Sequence, residues 1–133
     1  MNSKGIPLEV SITRGNKHGA RIAPKVINKL EQNNSKHKKY LLADKWYDSN
    51  KIREIIIEKK YEPIIPKRKY KTIVKKKSLN RKQIKIYKKR IIVENFFAWI
   101  KMNPKIDKIY EKTVKSYQGL LRLSCSMLVY KRL

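Results

Sequence analysis

The chain has 133 residues, 41% of them hydrophobic, which suits one domain with enough apolar content for a core. Its 35 Lys and Arg against 10 Asp and Glu give a net charge of +25, which predicts attraction to a polyanion, nucleic acid first and an acidic membrane surface second. Cys125 is the only cysteine, which excludes an internal disulfide and a cysteine-based zinc site. Arg122 interrupts the best apolar run before it reaches the roughly 18 residues of a membrane span, so a soluble, intracellular and cytoplasmic protein is expected.

Residues Ile6 to Thr13 alternate strictly, with Ile6, Leu8, Val10 and Ile12 on one side, and predict a strand with one buried face. Pro7 places that strand at an edge or a strand end, because proline cannot donate to a ladder. Gly15-Asn16 predicts a turn. Ile22, Val26, Ile27 and Leu30 recur at helical spacing and Pro24 suits a first turn, so a short helix is expected from about Ala23 to Glu31. His18 and His37 have no second ligand at i+3 or i+4, which makes them loop histidines rather than a metal pair.

Leu41, Leu42 and Ala43 form an apolar run that ends on Asp44, as in a central strand presenting a carboxylate at its tip. A turn or capping residue is the competing reading of Asp44. Asp48 or Ser49 can cap the next helix, whose Ile52, Ile55 and Ile56 make an apolar stripe, and Asp48 is read as structural. Tyr61 to Pro66 reads as a second short strand, bracketed by Pro63 and Pro66, which makes residues 40 to 66 a strand-helix-strand unit with parallel strands.

From Lys67 to Arg90 there are thirteen basic residues and no acid. Lys67, Arg68, Lys69, Lys75, Lys76 and Lys77 read either as an arm that tracks a phosphate backbone or as a solvated run. Asn80 and Gln83 fit the two ends of a capping box that opens a long helix ended by Pro104. On that helix Tyr87, Arg90, Glu94 and Lys101 share an arc of roughly 60°. Ile92, Val93, Phe96, Phe97, Trp99 and Ile100 take the other side. A carboxylate among cations on one strip suits a divalent metal beside phosphate, although an ordinary i,i+4 pair of Arg90 with Glu94 would look the same. A last helix is expected over Thr113 to Leu133, with Val114, Tyr117, Leu121, Met127 and Leu128 on its apolar face. There is no internal repeat and no glycine-rich phosphate loop.

The spacing Tyr, two residues, Arg, three residues, Glu, six residues, Lys resembles the pattern around the last catalytic acid of DDE transposases from bacterial insertion sequences. The block from Tyr40 to Ser49, with Ala43-Asp44-Lys45-Trp46-Tyr47-Asp48-Ser49, resembles the same family's segment around its middle acid, with Trp46 where a glycine is usual. Gly5-Ile6-Pro7-Leu8 and Thr13-Arg14-Gly15-Asn16-Lys17-His18 resemble the strand and loop between the first two acids, with Gly19 where an acid is usual.

The resemblance implies an α/β fold, part of a ribonuclease-H-like domain lacking its first two strands, with a strand-helix-strand-helix unit and two long C-terminal helices. It implies metal-dependent phosphodiester cleavage and strand transfer in DNA transposition. Asp44 and Glu94 would be catalytic acids and ligands of Mg²⁺ or Mn²⁺, while Tyr87, Arg90 and Lys101 would hold DNA phosphate. In the family the first acid precedes the segment that Gly5-Ile6-Pro7-Leu8 resembles. The expectation is therefore a C-terminal part of a catalytic domain, inactive or nearly so by itself, with weak metal binding and a strand at 6–13 without neighbours. DNA is the implied partner, as transposon ends and target, with a separately encoded N-terminal portion and a second copy of the chain, in a homodimer, as the further partners it suggests. The alternative is a non-catalytic, basic nucleic-acid-binding protein.

Overall fold

A computed structural model describes residues 1–13, 19–68 and 79–132. The expected turn at Gly15-Asn16, His18, and Lys69, Lys75, Lys76 and Lys77 lie outside the described residues. The chain is α/β and divides into two compact units, Thr13–Arg90 and Met1–Ile12 with Ile91–Leu133.

In the first of these, helix α1 (Gly19–Asn28) is followed by strand β1 (Tyr40–Leu42), helix α2 (Asn50–Glu58), strand β2 (Glu62–Ile64) and helix α3 (Arg81–Tyr87). β1 and β2 pair in parallel, with Tyr40 opposite Glu62 and Leu42 opposite Ile64, as the strand-helix-strand reading expects. The ladder extends at both ends, where Glu62 N–H donates to the Lys39 carbonyl at 2.9 Å and Ala43 N–H to that of Ile64 at 3.3 Å. Ser49 caps α2 by accepting the Ile52 N–H at 3.3 Å. The Ile52 and Ile56 side chains are then buried against Ile27 and Ile65, with Leu41, Ala43, Ile55 and Tyr61 packed around them. At about 25 cal/mol per Å² of apolar surface removed from water, burial of these isoleucines favours packing of the helix on the sheet.

α1 starts one turn earlier than the sequence suggests. Ala20, Ala23 and Ile27 form its packed stripe, so Pro24 falls inside the helix and offers no N–H to the Ala20 carbonyl. The exposed carbonyls at its end are met from across the unit, because Lys59 Nζ donates to Asn28 at 2.9 Å and to Leu30 at 3.0 Å. The buried Asn33 is fully engaged: its Nδ2 donates to the Lys60 and His37 carbonyls and its Oδ1 accepts from Ser35 N–H. Just after the Lys59 cap of α2 comes Lys60, whose φ of 60° is the left-handed turn usually given to glycine.

In the other unit, helices α4 (Ile91–Lys101), α5 (Pro104–Asp107) and α6 (Val114–Arg132) enclose Phe96, Ile100, Ile106, Cys125 and Leu128, with Met1, Val10 and Trp99 packed against them. Pro104 does not merely stop a helix. It opens α5, capped by Asn103, whose side chain accepts the Lys105 N–H. On α6 the buried positions are Ser124, Cys125 and Leu128, whereas Val114 and Met127, expected on the apolar face, are exposed.

Two expectations are corrected. Residues 6 to 13 pair with no strand among the described residues: Asn2 accepts the N–H groups of Lys4 and Ile6 in a turn built on Gly5 (φ 75°), and Leu8 is exposed. A sheet whose described part is only β1 and β2 gives that segment no neighbour for its backbone groups. The helix expected from Asn80 to Pro104 is broken by a 3₁₀ turn at Lys88–Arg90, so Tyr87 and Arg90 do not share one α-helix with Glu94 and Lys101. No described helix is long and apolar enough to cross a membrane.

Candidate functional site

Asp44 sits immediately beyond the β1 extension, at the carboxyl end of a parallel strand, where open α/β sheets place their ligand-binding groups. It also caps the short 3₁₀ turn Lys45–Tyr47, with its Oδ1 2.6 Å from Lys45 N, so the capping role and the strand-tip position coincide. Its Oδ2 lies 2.8 Å from Arg90 Nη1. The Arg90 guanidinium, seconded by the Lys45 N–H, holds the Asp44 carboxyl below its ordinary range although burial opposes the shift.

Arg90 in turn lies over the Tyr87 ring, 5.4 Å from its centroid. The fold therefore gathers three expected site residues, Asp44, Arg90 and Tyr87. A capping box opens α3, the helix that carries Tyr87: Asn80 Oδ1 accepts the Gln83 N–H at 2.8 Å and Gln83 Oε1 accepts the Asn80 N–H at 3.0 Å.

Glu94 and Lys101 lie on α4 in the other unit, both exposed, in the first and last turns, where each charge also complements the helix dipole. Lys67 and Arg68 are exposed just after β2.

Asp48, read from the sequence as structural, joins two segments in a way its spacing does not signal. Its Oδ1 accepts from Arg53 Nη2 at 2.7 Å and Nε at 3.1 Å, and its Oδ2 accepts the Arg68 N–H at 2.8 Å. Arg53 also donates to the Ile65 carbonyl at 2.8 Å, which ties the segment after β2 to the turn after β1. Burial pushes the Asp48 carboxyl up, but the Arg68 N–H and Arg53 outweigh it and hold the carboxyl below its ordinary range. Trp46, at the usual glycine position, points outward with 56% of its surface exposed and the Arg68 guanidinium 4.5 Å from its ring centroid. At Gly19 a Cβ would come within 2.9 Å of the Tyr47 hydroxyl, so an acid there would require Tyr47 to move.

One Asp44 oxygen accepts the Lys45 N–H and the other is paired with Arg90, and each keeps a further lone pair, so a divalent ion at Asp44 would share the carboxylate with these two partners. No group of three or more His, Cys, Asp or Glu among the described residues is arranged to hold a metal.

Fold and site define a strongly basic α/β protein that presents a carboxylate and guanidinium at a strand tip. A family model described as Transposase DDE domain matches residues 1–129, and the chain belongs to that family. The family works on DNA with divalent metal, in transposition. Comparison with the curated proteins and with the solved structures found no match.

Proposed function

We propose that this chain is part of a ribonuclease-H-like transposase catalytic domain, with Asp44 and Glu94 as two of the acids used in phosphodiester cleavage and strand transfer. Tyr87, Arg90 and Lys101 grip the backbone phosphates of the transposon end, and the basic segment beginning at Lys67 and Arg68 adds contacts that carry no sequence preference. The observation that carries this reading is the pairing of Asp44 with Arg90 at the end of β1, in a chain of the transposase family. A guanidinium forms bidentate pairs with phosphate as readily as with carboxylate, so a DNA phosphate competes with Asp44 for Arg90. The third acid lies on a segment other than the two motifs that carry Asp44 and Glu94.

Strand cleavage of element-end DNA with Mg²⁺ or Mn²⁺ tests this. The expected result is DNA binding without cleavage by these 133 residues, cleavage when the acid-bearing segment is supplied, and loss of that cleavage in Glu94→Gln. An active Glu94→Gln form would refute the catalytic assignment. The second reading, a basic DNA-binding protein without chemistry, is favoured by the engagement of both Asp44 oxygens. It requires that no supplied segment restores cleavage.

A further inference from the structure

We infer that Trp46 is a stacking ledge for an unpaired DNA base beside the Asp44 tip. This rests on the reading of the chain as a DNA-handling domain. An exposed indole is by itself unremarkable on a protein surface. What distinguishes Trp46 is its setting. The Arg68 guanidinium lies over the ring, 4.5 Å from its centroid, and Lys45 Nζ lies over it at 6.0 Å, so an indole with 56% of its surface exposed already takes flat and charged cations on its π-face. Nucleotides carry the complementary pair of features, a π-face and a phosphate, and single-strand-binding proteins recognise them with aromatic rings beside basic groups.

The ledge is also fixed in place. Arg68 is brought over Trp46 because its own N–H is held by Asp48 Oδ2 at 2.8 Å, and Asp48 is anchored by Arg53, which donates to the Ile65 carbonyl. Trp46 itself lies within the 3₁₀ turn that Asp44 caps. A base stacked on Trp46, two residues along the chain from Asp44, leaves its phosphates to Lys45 and Arg68. A duplex keeps its bases stacked on one another and offers this ring little, so the ledge selects single-stranded or frayed ends.

The chain has two tryptophans, Trp46 and Trp99. Trp99→Phe in the full chain makes Trp46 the sole indole reporter. Titration with an oligothymidylate of about a dozen nucleotides should quench its emission, and a blunt duplex of equal length should quench it far less. In the same background Trp46→Ala should weaken single-strand binding about tenfold and change duplex binding less than twofold, with Trp46→Phe falling between. Equal losses for both DNA forms, or an emission that ignores bound single strand, overturns the ledge while leaving the transposase reading intact. Absence of any DNA binding overturns both.

Discussion

Arg90 Nη1 lies 2.8 Å from Asp44 Oδ2, so a cation expected to hold DNA is the counter-ion of an acid expected to do chemistry. Both side chains are partly exposed, and the pair contributes little to stability because water screens it. Its importance lies in exchange. If Arg90 leaves Asp44 for phosphate on binding, Arg90→Gln should reduce the slope of log affinity against log salt by about one. Asp44→Asn, which removes the competing carboxylate, should tighten DNA binding at low salt and lose that advantage at high salt. Filter binding across a salt series checks both, and an unchanged slope in Arg90→Gln would mean that Arg90 stays with Asp44.

Asp44 and Asp48 both have folded-state pKa values below their ordinary 3.8. For a depressed carboxyl, the stabilisation is present above the unfolded value and is lost as pH falls through the folded one. The melting temperature followed by circular dichroism should therefore hold steady down to about pH 4 with respect to these groups and fall below it. Asp48→Asn should flatten that fall, and an identical profile would show that Asp48 does not contribute.

Asp48→Ala removes the shared anchor of Arg53 and the Arg68 N–H and leaves a half-buried guanidinium without its carboxylate. The expected cost is about 2 kcal/mol, read from urea unfolding. The same substitution should release Arg68 from Trp46 and red-shift the Trp46 emission in the Trp99→Phe background. Destabilisation without that spectral change would separate the fold's use of Asp48 from the ledge's.

Lys60 occupies a left-handed conformation at φ 60° just after α2. Its N–H donates to Ile57 and that of Tyr61 to Ile56, so the turn itself is well bonded and only the side chain is disfavoured. Lys60→Gly should stabilise the chain by about 0.5 kcal/mol, the relief of the left-handed penalty less glycine's entropy. Thermal unfolding should register this as a rise of a few degrees, and a drop would mean that the lysine stem packs on its surroundings.

Much of the local structure was legible in the sequence, because its causes are short-range. The apolar run before Asp44, the Ser49 cap, the isoleucine stripe of α2 and the Asn80-Gln83 capping box all depend on residues a few positions apart, and the parallel pairing of β1 with β2 follows from their strand-helix-strand order. The family motifs were legible for the same reason, being fixed spacings of side chains along the chain.

Where a side chain's partner comes from another element, spacing gave no signal. The tertiary structure alone paired Arg90 with Asp44, laid Arg68 over Trp46 through Asp48 and met the end of α1 with Lys59. It also overruled two periodic patterns. The alternation of residues 6 to 13 did not become a strand, since a strand is completed by neighbours and not by its own sequence. The four-residue polar strip did not remain on one helix, because the 3₁₀ turn at Lys88–Arg90 divides it and turns Arg90 to a carboxylate contributed by another element. Periodicity proposes which face a segment offers, and packing and hydrogen-bond partners decide which groups meet.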